Sequence, residues 1–246
     1  MSIKDILVHV DTTPACHARI WLATRLAQRF DAYLLGAGTQ KGGAAEERFA
    51  AMLSEHRVQG EWRTVTGLIE PSIAGLACAA DLVIIGQPDP DRLLVELTAP
   101  EDIILSCGRP VLVVPYNGAF EHVGDRVLVA WNGSREATQA VHDALPLMAM
   151  AKGITVLRVD AETEEDKELS AELVRHLMRH GLPAEAALTK RHNLALFDLV
   201  MTRAIGADSD LIVMGAYGHS RWRQMILGGM TRDMLNKMSL PVLMAH

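Results

Sequence analysis

Apolar positions in this chain fall into short runs separated by amphipathic stretches. Ile6–Asp11 (ILVHVD) is a β-branched-rich run of strand length. The next segment, Ala15–Phe30, sets Ile20, Ala23, Ala27 and Phe30 at helical spacing, with Pro14 at its start, where a missing N–H costs little. The pattern then predicts strand Tyr33–Ala37, a break at Lys41-Gly42-Gly43, helix Ala44–Arg57 and strand Trp62–Thr66. Helix Ser72–Ala79 follows, opened by Pro71, then strand Leu82–Ile85 ending at Gly86, helix Thr98–Cys107 and strand Pro110–Val114. Strand and helix alternate, which is the pattern of a parallel sheet covered by helices on both faces.

The pattern then starts again. VLVAWNGSREATQAV (Val127–Val141) matches ILVHVDTTPACHARI (Ile6–Ile20) in position and type. SDLIVMG (Ser209–Gly215) matches ADLVIIG (Ala80–Gly86), and the C-terminal LPVLMAH matches RPVLVVP (Arg109–Pro115). Three pairs in the same order indicate a duplication. The polar stretch from Asn117 to Asp125 marks the boundary, giving domains over 1–118 and 124–246. The second domain reads as strands 126–131, 154–159, 184–189, 211–214 and 241–245. Its helices are expected over 134–150, 164–180, 194–206 and 229–238, with a loop over 215–228. The acidic run Glu162–Glu168 falls at a helix start, where acids favour the dipole. The fold class is therefore α/β, as two tandem five-stranded parallel-sheet α/β/α domains. The proline-led last strands of the two halves are expected to face each other across a pseudo-twofold axis, as a homodimer or an intramolecular pseudo-dimer.

Composition narrows the function classes. Of 246 residues 49% are apolar, enough for a packed core. The net charge of −6 argues against a general nucleic-acid binder, which needs a basic face. No apolar run approaches a membrane span, and the N-terminal MSIKDILVHVD reads as a first strand rather than a signal peptide. Cys16, Cys78 and Cys107 form no CxxC pair, so the expected setting is a reducing cytoplasm without disulfides or a zinc site. His176 and His180 are four residues apart, but no third ligand is legible beside them, and a solvated helix face is the expectation.

The chemistry concentrates between Asp208 and Pro241. An apolar strand ends at Met214-Gly215, Gly218 follows, and Gly228-Gly229 stand at the next helix start. Glycines let backbone approach a ligand closely, and free N–H groups at a helix start attract anions. His219, Arg221 and Arg223 add positive charge between the glycines. The loop is neither a Walker A motif nor GxGxxG. The competing reading is an ordinary turn with surface arginines. In a doubly wound sheet the ligand lies outside the carboxyl ends of the strands, here Ala130-Trp131-Asn132, Arg158-Val159-Asp160 and Met214-Gly215.

Gly215-x2-Gly218-x9-Gly228, after LIVMG and before a helix and a PVL strand, resembles the nucleotide loop of the universal stress protein family. VAWNGSREA and ILVHVDTTP resemble that family's first strand and loop, so the likeness covers essentially the whole chain as two tandem domains. The resemblance implies an adenine nucleotide alpha hydrolase-like, Rossmann-like fold. It implies ATP or a related adenine nucleotide as ligand, with or without Mg2+. Adenine is implied near Ala130, Asn132 and Val159, with Trp131 at the same edge. Phosphates are implied at Gly215, Gly218, Gly228, Gly229 and Met230, with Met214, His219, Arg221 and Thr231 close by. Two residues depart from the family pattern. Asn132 replaces the usual Asp, and Gly229 replaces a Ser or Thr hydroxyl.

The first half keeps Asp11 in the family position, but its loop reads GQPDPDRLL. Pro88 and Pro90 lack N–H donors, and Asp89 and Asp91 would repel a triphosphate. It is expected to brace the second half without binding ATP. The role the resemblance implies is stress response or signalling through a change of protein partner. No catalytic residue or metal site is legible, so binding is expected, with slow ATP hydrolysis at most. A nucleotide-free dimerisation scaffold and a weak ATP hydrolase are the alternatives.

Overall fold

The computed structural model describes residues 2–88, 100–218 and 229–246. They divide into two compact units, Met1–His122 and Val123–His246. Each is built from strands alternating with helices.

In the first unit the elements run β1 (Asp5–His9), α1 (Cys16–Phe30), β2 (Tyr33–Gly38), α2 (Ala44–His56) and β3 (Gly60–Thr64). α3 (Ile69–Ala77), β4 (Leu82–Gly86), α4 (Pro100–Ser106) and β5 (Val111–Val114) complete it. Its strands pair in parallel in the order β3-β2-β1-β4-β5. β1 and β4, inside this order, bury nearly all their residues and carry the apolar runs ILV and LVII, and β5, VLVV, is buried along its whole length. The outer strand β3 keeps all its residues at least partly exposed, which is why its sequence, GEWRT, is polar.

The second unit repeats this plan. Its elements are β6 (Arg126–Ala130), α5 (Arg135–Met148), β7 (Gly153–Val159), α6 (Glu164–Arg179), β8 (Ala184–Thr189), α7 (Leu196–Gly206), β9 (Leu211–Gly215), α8 (Gly229–Lys237) and β10 (Val242–Ala245). The strand order is β10-β9-β6-β7-β8, again all parallel. From β6 the chain winds outward to β7 and β8, then returns to β9 on the other side. The switch in winding direction therefore lies between β6 and β9.

Local chemistry fixes the start of each plan. Asp81, just before β4, accepts hydrogen bonds from the Lys4 and Asp5 amides at 2.7 and 3.1 Å. Asp210, just before β9, accepts from the Gly124, Asp125 and Arg126 amides at 2.7, 2.9 and 3.3 Å. The same side chain thus pins the entry of the first strand in both units. The acidic run is a helix start: Thr163 and Asp166 form a reciprocal capping box on α6. Asp166 also pairs with Arg158 on β7, tying that helix to the carboxyl end of the strand.

Candidate nucleotide site

The carboxyl edge of the second sheet brings several of the sequence-predicted residues together. Ala130 on β6 pairs in register with Met214 on β9 and with Leu157 on β7. Trp131 follows, its amide donating to the Leu157 carbonyl at 2.9 Å, and is 9% exposed. Val159 ends β7, and Gly215 ends β9. All of these stand beside the switch between β6 and β9, where a doubly wound sheet opens a crevice.

The turn from β6 into α5 is built from its own side chains. Asn132 Oδ1 accepts from the Ser134 amide at 3.0 Å, and Gly133 supplies a φ of +74°. Ser134 is the N-cap of α5 and accepts from the Ala137 amide at 3.2 Å. Asn132 therefore uses its carbonyl on the turn, and its amide NH2 takes no part in it.

The two described loop glycines are explained first by packing. A Cβ on Gly215 would lie 2.6 Å from the Glu136 carbonyl carbon and 2.9 Å from its Cβ, inside the first turn of α5. A Cβ on Gly218 would collide with the Glu136 carboxylate and lie 3.1 Å from Ser134 Oγ. Backbone approach is thus demanded by α5 itself. The sequence missed Glu136 as a site residue, because a Glu in a first helical turn reads as an ordinary dipole partner. Its carboxylate in fact stands beside Gly218.

The amides of that loop divide into two groups. Ala216 N–H donates to Ala245 O at 2.8 Å, and Tyr217 N–H, at a φ of +56°, donates to Thr231 Oγ1 at 3.4 Å. Thr231 is 4% exposed, so its hydroxyl anchors the loop to α8 rather than facing a ligand. Among the described residues, nothing takes up the Gly218 amide. The first turn of α8, which includes Gly229 and Met230, carries amides without intrahelical partners. Gly229 is exposed, and among the described residues nothing lies within 4 Å of a Cβ placed there. His219, Arg221 and Gly228 lie outside the described residues, as does Arg223.

Among the described residues, two buried polar atoms at this edge lack protein partners: Trp131 Nε1 and Arg158 Nη1. Arg158 Nη1 lies 3.3 Å from the position of a Cβ on Gly133, beneath the Asn132 turn. A buried donor is costly unless water or another group meets it. Asp160 is already engaged, accepting from the Arg191 amide at 2.8 Å.

The first unit fills its matching edge with an arginine. Arg19 reaches from α1, is 3% exposed, ion-pairs with Asp11 and donates from Nε to the His9 carbonyl at 2.8 Å. Its guanidinium stands where a side chain on Gly86 would have to go. Asp11 also accepts from the Thr13 amide at 2.8 Å and from the Thr13 hydroxyl. Burial pushes the Asp11 carboxyl up, but Arg19, Thr13 and His9 outweigh it and hold it below the usual range. Burial, reinforced by Arg19 and opposed by Asp11, pushes His9 down to about 4. Beyond Gly86, Gln87 donates its amide to Val114 O at 2.8 Å and leaves its buried Nε2 without a partner. Asp89, Pro90 and Asp91 lie outside the described residues.

Comparison with known proteins agrees with this architecture. The universal stress protein family model matches residues 124–246. A universal stress protein of Synechocystis is 31% identical over 147 residues, 58% of this chain and 49% of that protein, so the chain spans about half the length of that relative. The crystal structure of a universal stress protein from Archaeoglobus fulgidus aligns with 98% of this chain and 95% of its own, at 12% identity and a TM-score of 0.73. A Pseudomonas aeruginosa protein of unknown function aligns with 99% of this chain and 92% of its own, at 18% identity and a TM-score of 0.68. At those identities the solved structures speak for the fold alone. Among the described residues, no helix is long and apolar enough to cross a membrane. On the match of the family model to half its length, the chain belongs to the universal stress protein family.

Proposed function

We propose that the second unit binds an adenine nucleotide, ATP in the first instance, at the carboxyl edge of its sheet. The observation that carries this reading is the meeting, at the β6–β9 switch, of Gly215 and Gly218 with the α5 start and of the Tyr217 amide between them with Thr231 in the first turn of α8. Gly218 N–H and the first amides of α8 are the donors for phosphate. Asn132 NH2, Val159 and the unpartnered Trp131 Nε1 and Arg158 Nη1 line the side toward β7. Glu136 adds a condition. Its carboxylate would repel a bare triphosphate, and a Mg2+ between the two turns repulsion into ligation. The nucleotide is therefore proposed to bind as its Mg2+ complex. Family membership supports a stress-signalling role in the cytoplasm, exercised as a homodimer or an intramolecular pseudo-dimer whose protein partner depends on the bound nucleotide.

Calorimetric titration of the full chain with ATP and Mg2+ tests the reading. One nucleotide per chain is expected, with affinity falling when Mg2+ is chelated. Gly229→Val is the discriminating variant, because it lies in the first turn of α8 and, among the described residues, nothing stands within 4 Å of a Cβ there. Gly215→Val is unsuitable, since it strikes the α5 backbone whether or not a ligand exists. Protein that is purified empty and gives no heat with Mg2+-ATP would overturn the proposal. That result would favour a nucleotide-free scaffold, the second reading, which the inward amides of Ala216 and Tyr217 and the engaged Asn132 Oδ1 support.

A further inference from the structure

Three histidines of the second unit meet away from the nucleotide edge. His142 lies on α5, and His176 and His180 lie one turn apart at the end of α6. The His142 and His176 ring centroids are 5.2 Å apart, and those of His176 and His180 are 4.7 Å apart. Two imidazoles bound to one tetrahedral ion at a Zn–N distance of ~2.0–2.1 Å place their centroids about 5 Å apart, so both spacings fit a shared ion. His176 is the middle ring and is half-buried. Its Nε2 is buried and has no hydrogen-bond partner. Arg179 would oppose a cation, but it is held at 3.1 Å by Glu172, whose charge offsets it.

We propose that His142, His176 and His180 form a binding site for a divalent transition ion of the zinc class, with water as fourth ligand. Imidazole nitrogen is a ligand suited to such ions, and three histidines with an open position make an accepted coordination set. Among the described residues, the three rings do not yet bring one nitrogen each within 4.8 Å of one another. Binding turns the exposed His142 and His180 about their side-chain torsions toward His176, which stays in place. The sequence displays the pair on α6 at i, i+4; only the packing of α5 against α6 supplies the third ring. An ion held there ties the two helices together, independently of any nucleotide.

The test uses the full chain carrying Cys78→Ser, which removes an exposed competing thiol. It is titrated with Zn2+ against a chromophoric chelator, and its thermal midpoint is recorded with and without the ion. One saturable Zn2+ per chain and a raised midpoint are expected, since an ion that binds only the folded state stabilises it. His176→Gln is expected to lose both, and His142→Gln to lose the rise in midpoint together with most of the uptake. Absence of saturable uptake, or uptake unchanged in His176→Gln, would overturn the site. Binding by His142→Gln equal to that of the parent would reduce it to a two-histidine chelate on α6 and overturn the bridge between helices.

Discussion

The two units carry the same backbone to the carboxyl edge of their sheets and finish it with different side chains. Gln87 N–H bonds Val114 O and Ala216 N–H bonds Ala245 O, each at 2.8 Å, at matched positions of the repeat. Yet where the first unit has His9, Asp11 and Arg19, the second has Ala130, Asn132 and Ala140. Arginine supplies the first edge with its own cation and its own donors, so Asp11 is spent within the protein. Alanine at 140 leaves that space unfilled by charge in the second unit, where Trp131 Nε1 and Arg158 Nη1 remain unpartnered. A duplicated fold is thus held by backbone hydrogen bonds and apolar packing. The few side chains that differ at one edge change without disturbing the rest.

The strongest way to break this comparison is to remove the arginine. Arg19→Ala leaves Asp11 buried without its cation, and breaking such a pair costs about 3–5 kcal/mol. Urea denaturation of the variant is expected to show a loss of that size. Gln139→Ala, on the exposed side of α5 next to the matched position, is expected to show almost none. A loss below about 1 kcal/mol for Arg19→Ala would mean that water already reaches the pair, since exposed pairs contribute that little.

Acid should expose the same asymmetry. His9 is held to about 4 in the folded unit against an ordinary 6.5, so between those values the unfolded chain binds the extra proton. Stability therefore falls as pH drops from about 6.5 toward 4, by about 3 kcal/mol over the whole window for a shift of this size. Asp11, held below its usual range, adds a further loss at lower pH as it is protonated. His9→Ala, which copies Ala130 of the second unit, should flatten the slope between pH 6.5 and 4. A slope unchanged in that variant would assign the acid sensitivity to other groups.

How much of this was legible in the sequence differs between backbone and edge. Strand–helix alternation, the repeat and the glycine-bearing loop could be read directly, because the periodicity of buried positions and the chirality of crossovers leave few alternatives. Arg19 was not read, although a signal was present: it lies three residues after Cys16 and four before Ala23, on the apolar stripe of α1. An arginine on a buried stripe needs a buried acid, and Asp11 was the nearest candidate. Glu136 was missed because its partner, the chain at Gly218, is distant in sequence. The same holds for His142, which meets His176 only through the packing of two helices.

Glycine substitutions sharpen the comparison at a smaller scale. Gly215→Ala drives a methyl into the α5 backbone, which has no side-chain freedom to yield, and should cost about 1–3 kcal/mol. Gly86→Ala meets the Arg19 guanidinium instead. That group yields only by giving up Asp11, so the cost should track the arginine and be smaller in an Arg19→Ala background. Denaturation of the two single variants and of the Gly86→Ala/Arg19→Ala double variant forms a cycle. Additive costs would show that Gly86 and Arg19 are not coupled.

The smallest expected effect lies at the first turns of α5 and α1. Ser134 and Thr13 occupy matched positions, but only Ser134 caps a helix, through the Ala137 amide. Thr13 turns its hydroxyl to Asp11, and the N-cap of α1, Ala15, has no side-chain cap. Ser134→Ala should therefore cost about 1 kcal/mol by loss of the cap. Thr13→Ala should act through Asp11 instead, raising the pH at which the first unit loses stability in acid, because one of the groups holding that carboxyl down is gone. Denaturation midpoints of both variants at pH 7 and at about pH 2 separate the two, because a loss that acts through Asp11 shrinks only as that carboxyl is protonated, below the usual carboxylate range. Equal losses at both pH values for Thr13→Ala would place its role in the helix start rather than in the ion pair, and the two edges would then differ by Arg19 alone.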